Sequence, residues 1–310
     1  MALSYNVDGL ADYISKEAPA LVGRAALGGK TIKYAHVQTG VKGSAPINLI
    51  DVDVTFGDGK ACGWDDATTS TLSSRMLVTG AIKVNSSICD KKLLGKWGEW
   101  NVRVAAGQKT LPFEEEFTNE LTKSVSTLLD KVIWRGDTRS SDTNLKRFDG
   151  IIKNAYDAQY SVDVLGQTPL NAVMKVMKSL PAEVAAKEDV IFFCSPSFLL
   201  AYRADLISSD YNQLFVQSTD ANEQIIPGTT YKLVATPGLE GAEVAGGVDC
   251  QIVAMSASNL YYGTDLEGDE EKFDLWYSKD NREFRLAIEF TAGVNVAYPA
   301  EVVFGIVDRT

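Results

Sequence analysis

The sequence contains one histidine, His36, so a Ser-His-Asp or Cys-His nucleophilic arrangement, or a zinc site built on imidazole, would have to use that ring. It stands between Ala35 and Val37 in an early loop and reads as an ordinary, partly exposed side chain. Paired carboxylates can do acid and base work or hold calcium. The sequence offers Asp51 with Asp53, and Asp269 with Glu270 and Glu271. The first spacing is that of any solvent face of a strand, and Asp265 to Glu271 reads as a solvated turn. Gly263-Thr264-Asp265 and Gly28-Gly29-Lys30-Thr31 share residues with phosphate-cradling loops but lack the full GxxxxGKS/T or GxGxxG spacing. Arg135-Gly136-Asp137 matches an adhesion tripeptide, at a helix end where basic, glycine and aspartate residues belong to capping. The four cysteines, Cys62, Cys89, Cys194 and Cys250, are too few for a disulfide scaffold and too scattered for CxxC zinc knuckles. Trp64, Trp97, Trp100 and Trp134 read as core or interface anchors rather than cofactor platforms. These residues lead to the expectation of no enzyme, no cofactor and no metal.

Composition narrows the class further. Lysine and arginine total 30 against 41 aspartates and glutamates, a net charge of −11; such a surface repels phosphate backbones and anionic lipid, so general nucleic-acid coating is not expected. With 310 residues, 45% apolar and 23% charged, the chain can bury a core as one large or two medium domains, and disordered, collagen-like and fibrous readings are out. No window approaches the ~18 consecutive apolar residues of a membrane-spanning helix. The N-terminus shows no basic region followed by an apolar stretch, so no secretory signal is visible.

The elements that must position any functional surface are legible in the periodicity. Residues 7 to 17 suggest one short helix in an N-terminal arm, broken by Pro19, Gly23 and Gly28-Gly29. Ile50, Val52, Val54 and Phe56 alternate with Asp51, Asp53 and Thr55, ending at Gly57-Asp58-Gly59, the pattern of a strand with one wet face. A second β-rich run, Arg75 to Val84, makes the pair a long antiparallel hairpin with its tip near residues 57 to 70. Its first strand, Ile47 to Gly57, would span ~35 Å at ~3.3 Å per residue, and a two-stranded ribbon of that length is marginal alone in water. Cys62 and Cys89 fall on opposite arms and could staple them in an oxidising compartment; in a reducing one the thiols are expected to stay free. Pro112 opens the clearest helix, through Phe113, Phe117, Leu121, Val125, Leu128, Leu129, Val132 and Ile133 to Trp134-Arg135-Gly136, with Glu114, Glu115 and Glu116 in its first turn. Helices from Thr168-Pro169 to Leu180 and from Ser195-Pro196 to about Ile207 flank a strand, Asp189 to Cys194, forming a compact α/β unit. Further strands are expected at Tyr231 to Ala235, Cys250 to Met255 and Phe273 to Tyr277. In the last stretch Phe284, Leu286, Ile288, Phe290, Ala292, Val294, Val296 and Tyr298 all fall on even positions, a long strand bent at Gly293.

This order resembles the major capsid protein of tailed bacteriophages, a fold shared with encapsulin nanocompartments. The residues that carry the resemblance are Phe117-Thr118-Asn119-Glu120-Leu121 through Ile133-Trp134-Arg135-Gly136-Asp137, then Phe148-Asp149-Gly150-Ile151-Ile152, Asn259 to Asp265, and Phe284 to Phe290 with Gly293 and Tyr298. The resemblance implies an α+β fold with residues 1–35 as N-terminal arm and 36–100 as an extended β-hairpin loop. It implies a peripheral domain of 101–152 and 266–310 carrying a spine helix over 112–135, and an α/β axial domain of 153–265. It also implies a structural protein that self-assembles into hexamers and pentamers, the icosahedral head shell around the double-stranded DNA of a tailed phage, assembled in the host cytoplasm. Separate scaffolding and portal proteins, and a decoration protein, are the expected partners, with DNA held by non-specific enclosure and no membrane involved. No long charged helical extension precedes the arm, which is why the scaffold is expected to be a separate protein, if there is one.

The ribbon argument converges with the resemblance: a hairpin too long to stabilise itself gains buried area by lying on a neighbouring subunit. The residues expected at that contact are Ile50, Val52, Val54, Phe56, Trp64, Val78, Ile82 and Val84. An encapsulin-like shell around a cargo enzyme is the alternative with the same fold. A soluble α+β enzyme using a carboxylate pair would instead be a monomer or small oligomer with a deep pocket.

Overall fold

The computed structural model describes residues 26–56, 69–89, 113–209, 220–265, 272–278, 280–281 and 283–307. In chain order they form β1 (His36–Gln38), β2 (Ser44–Asp53), β3 (Thr69–Val78), β4 (Gly80–Cys89), α1 (Phe113–Arg135), α2 (Ile151–Ala155), β5 (Ser161–Asp163), α3 (Pro169–Lys178), α4 (Ala182–Ala185) and β6 (Val190–Cys194). There follow α5 (Pro196–Ser208), β7 (Glu223–Ile225), β8 (Lys232–Ala235), β9 (Glu243–Val244), β10 (Val248–Ser256), β11 (Leu260–Gly263), β12 (Lys272–Ser278), β13 (Glu283–Val296) and β14 (Val303–Val307). The expected arm helix and the expected tip of the hairpin, with Cys62 and Trp64, lie outside the described residues.

The described residues form three sheets. One follows the order β1-β11-β13-β12, with β4 also on β13; a second follows β5-β14-β10-β6-β8-β7, with β9 on β10; β2 and β3 pair only with each other. The long strand β13 keeps the phase of its sequence, with Leu286, Ile288, Phe290, Ala292, Val294 and Val296 all buried. Central strand β6 is buried on both faces: Ile191 and Phe193 point into one core, Val190, Phe192 and Cys194 into another. The first core lies between α1, α2 and both large sheets; the second lies between the larger sheet and α3 and α5. Local signals fix the helix starts, since Thr168 Oγ1 accepts from Asn171 N and Ser195 Oγ from Phe198 N, each followed by a proline at the first helical position.

The spine helix α1 turns Val125, Leu129, Val132, Ile133 and Trp134 into the first core. Its buried Asp130 accepts from Thr31 N (3.0 Å) through one oxygen and from Gly238 N (3.2 Å) through the other, while Trp134 Nε1 donates to Thr31 Oγ1 at 2.8 Å. One turn of helix thereby ties down two segments about a hundred residues away on either side in sequence. Where α1 ends, a Cβ on Gly136 would stand 2.3 Å from Phe148 O, and Gly150 N donates to Gly136 O at 2.8 Å. The Arg-Gly-Asp segment is thus part of the helix stop, with Asp137 bonded to Lys153.

Two placements differ from the sequence reading. The run from Arg75 to Val84 is not one hairpin arm: β3 ends at Val78, Thr79 N closes the hairpin on Gly43 O (2.9 Å), and β4 departs to pair along β13 from Gly80↔Ala292 to Cys89↔Glu283. Ile82 and Val84 therefore sit on the large sheet, half-buried against its core. The C-terminal segment also divides, β13 entering the sheet of β4 and β11 while β14 crosses to pair with β10 and β5.

Candidate assembly surface

The two-stranded ribbon is where the sequence placed the functional surface. Its register runs from Ser44↔Val78 through Ile50↔Leu72 to Asp53↔Thr69, ten residues per strand or ~34 Å at ~3.4 Å per residue. Side chains alternate between its faces, and the faces differ in fate. At the root, Ile47, Leu49 and Leu77 turn inward and form a small buried cluster with Ala297, against Tyr261. Arg75, opposite Ile47 on the same face, donates from Nη2 to Asn154 O at 3.2 Å and lies 3.4 Å from Asn295 Oδ1. Burial draws its guanidinium below the usual arginine pKa. Asn295 Nδ2 returns a bond to Met76 O at 2.8 Å, and Asn154 Nδ2 donates to Val294 O at 3.0 Å. The ribbon can cross β13 this closely because position 293 is glycine: a Cβ there would stand 2.2 Å from Val78 O.

The opposite face is apolar and uncovered. Ile50, Val52, Val54 and Phe56 on the β2 side, with Leu72, Met76 and Val78 on the β3 side, are exposed to between 48% at Val52 and 95% at Phe56. Cross-strand pairing sets Ile50 opposite Leu72 and Pro46 opposite Met76, with the polar pair Asn48 and Ser74 between them, so the strip of apolar side chains is interrupted at that pair. So many exposed apolar side chains on one face of a ribbon make it a candidate contact surface. Covering each side chain is worth ~1.5–3 kcal/mol if complete, so seven of them supply on the order of 10 kcal/mol before the entropy of association is subtracted.

Of the residues anticipated at the contact, the structure brings Ile50, Val52, Val54, Phe56 and Val78 together on this strip. It places Ile82 and Val84 elsewhere, on β4, where packing against the chain's own sheet takes up their apolar faces. Cys89 ends β4 opposite Glu283 rather than on a hairpin arm. Leu72 and Met76 were missed; they sit in a Thr- and Ser-rich stretch and join the strip only through register. Elsewhere, His36 lies on β1 with its ring 5.1 Å from that of Tyr261, and Cys194 and Cys250 are buried free thiols on opposite faces of the larger sheet. Among the described residues no group of three or more His, Cys, Asp or Glu side chains converges, and no helix is long and apolar enough to cross a membrane.

No family model matches the sequence, and no curated protein matches it. Solved structures do. The chain is similar to the capsid protein of an empty GTA particle (12% identity, TM-score 0.58, 92% of this chain and 90% of that one). It is also similar to a protein of the satellite phage P4 procapsid, which includes a size determination protein (12%, 0.59, 99% and 98%), and to one of Microbacterium phage Oxtober96 (11%, 0.55, 90% and 91%). At these identities the likeness is one of fold, and it spans almost the whole of each chain: the protein has the α+β fold of tailed-phage capsid proteins.

Proposed function

We propose that this chain is the shell subunit of a tailed-phage head, assembling into hexamers and pentamers that close as an icosahedral container for double-stranded DNA. The observation that carries the reading is the apolar strip of the ribbon, exposed on a subunit whose fold is that of capsid proteins. The strip of one copy lies on the body of the next; a head-to-tail contact of this kind generates rings when the rotation closes. The net charge of −11 suits a container, because a wall that held DNA tightly would hinder packing and release. Assembly takes place in the host cytoplasm with separate scaffolding and portal partners, and the protein acts in the virion without catalysing a reaction.

Electron microscopy of the purified protein, with analysis of what the particles contain, tests this. Closed shells around DNA are expected when the chain is produced with its phage partners. Shells filled with a protein cargo would move the reading to a nanocompartment, and a compact species that never enlarges at high concentration would end it.

A further inference from the structure

The outer face of the sheet formed by β4, β13 and β12 carries an exposed tryptophan that neither the ribbon nor its root uses. Even positions of β13 turn into the first core, so Glu283, Arg285, Ala287 and Glu289 belong to the opposite face. Register sets Arg285 between Trp276 on β12 and Ser87 on β4, and Ala287 between Asp274 and Asn85. Trp276 is 44% exposed, and Asp274, Asn85 and Ser87 are exposed around it. Tryptophan is on average a highly buried residue, so one standing on a wet, polar sheet face calls for a reason. Trp276, Asn85, Ser87, Glu283 and Arg285 line a groove of about 330 Å³, within the ~300–1,000 Å³ range of small-molecule sites.

The chemistry of the groove selects a class of ligand. Arg285 Nε donates to Glu283 Oε1 at 2.7 Å, so its one guanidinium is matched by one carboxylate and held in place. Farther along the same face, Lys83 and Glu289 pair at 2.6 Å. Charges balanced in this way give an ion no net attraction, which argues against a phosphate, a nucleic acid or a free carboxylate. The groove offers donors at the guanidinium nitrogens that the Glu283 bond does not use and acceptors at the carboxylate. The Asn85 amide and the Ser87 hydroxyl supply both. Vicinal hydroxyls, each able to donate and accept, match that set. The indole of Trp276 supplies a plane that the C–H face of a pyranose ring covers. With adjacent strands ~4.8 Å apart, Trp276 and Ser87 stand ~10 Å apart across Arg285, room for two sugar rings.

We propose that this groove binds a neutral saccharide, with one ring laid on Trp276 and its hydroxyls bonded to Arg285, Glu283, Asn85 and Ser87. The site lies on a different sheet from the ribbon, so it stands or falls independently of the shell reading.

Saturation-transfer difference NMR of the full-length subunit with maltotriose, cellotriose, chitotriose and lactose tests this. At least one sugar is expected to give signals strongest at the C–H protons of one ring face. Its dissociation constant is expected on the order of 1 mM, as suits an open groove that covers one side of its ligand. Trp276→Ala is expected to weaken that binding about tenfold, and Trp276→Phe less, because a smaller aromatic plane remains. Asn85→Ala and Ser87→Ala alter exposed side chains, which leaves folding intact, and each is expected to weaken binding several-fold. Those two variants carry the test if Trp276→Ala does not fold. Unchanged binding by a folded Trp276→Ala would overturn the proposal. Tighter binding of sialyllactose than of lactose would overturn it too, since the site would then select charge. So would the absence of a signal from every one of these sugars; shielding of Trp276 from oxidation in particles would then give the face to a second copy of the chain.

Discussion

Leu72→Glu separates the stability of the subunit from the strength of its contacts. Leu72 is 76% exposed and stands opposite Ile50, itself 64% exposed. The free subunit has almost no burial to lose there, and a surface substitution of this kind falls within about ±0.5 kcal/mol. On the proposed function the same position is covered in a shell. Leucine burial worth ~1.5–3 kcal/mol is then forfeited, and a carboxylate is forced either to desolvate or to hold the contact open. A loss of ~3 kcal/mol per contact weakens it by about 150-fold, and the loss repeats at every copy in a closed particle. Thermal melting and sedimentation velocity on the same preparation give both numbers. The expected result is a melting temperature within about 2 °C of the parent with no particles at concentrations where the parent assembles. The double variant Ile50→Thr/Leu72→Thr keeps strand propensity without adding charge and is expected to fall between the two. Normal particles from Leu72→Glu would show that the strip faces solvent in the assembly and would refute the reasoning.

Gly293→Ala would set a methyl 2.2 Å from Val78 O and is expected to destabilise the subunit by ~1–3 kcal/mol in denaturant melts while displacing the ribbon. Arg75→Ala removes the bond to Asn154 O; cleavage by a protease within residues 44–78 is expected to become several-fold faster with little change in overall melting. Asp130→Ala would strand Thr31 N and Gly238 N and is expected to cost ~2–5 kcal/mol in denaturant melts, the sum of two unpaired buried donors. Burial raises the Asp130 pKa, outweighing the bonds from Thr31 and Gly238 that lower it. Its contribution is therefore fullest below the ordinary aspartate value and fades as pH rises, and Asp130→Asn should flatten that slope in pH-dependent melts. The exposed group of Lys153 with Asp137 and Asp149 runs the other way. The Lys153 bond lowers Asp137, and for Asp149 the same bond with those from Thr138 outweighs desolvation; that small stabilisation is present at neutral pH and lost on acidification.

The sequence made one half of the ribbon plain and concealed the other. From Ile50 onward the even positions of β2 are apolar without interruption, and those residues line the exposed strip. Before that point the phase is odd, with Ile47 and Leu49 buried at the root. The apolar set of β2 therefore changes face at Leu49-Ile50, and the change marks where the buried root gives way to the exposed strip. Strand β13 and helix α1 were legible for the same reason, long unbroken periodicity that no other element has to complete. The limit of the ribbon was not legible, because Thr79 ends it through a bond to Gly43 and a close crossing of Gly293, both settled by residues far away in sequence. Ile82 and Val84 continue the alternation of β3 into β4, so periodicity alone could not assign them to a different sheet. The strands of two or three residues carry too little pattern to announce themselves, and Asp130 looked like one more polar position on a helix until Thr31 and Gly238 closed on it.

The strip by itself admits two geometries. It could pack face to face with the strip of one other copy, as two sheets stack at ~10 Å, and such a two-fold contact is satisfied at a dimer. Laid instead on a different surface of the next subunit, it leaves every copy with one ribbon given and one site unfilled until a ring closes. The second arrangement is favoured by the tether. Root residues Ile47, Leu49 and Leu77 hold the ribbon down on the chain's own body, so the strip faces outward along one fixed direction. Covering it over ~34 Å then takes a surface as broad as a subunit flank. Cross-linking at limiting reagent distinguishes the two, since a ring gives a ladder of bands rising to its full number, whereas a stacked pair stops at two. A species that remains dimeric at every concentration would reject the container and leave the strip as a simple two-fold interface.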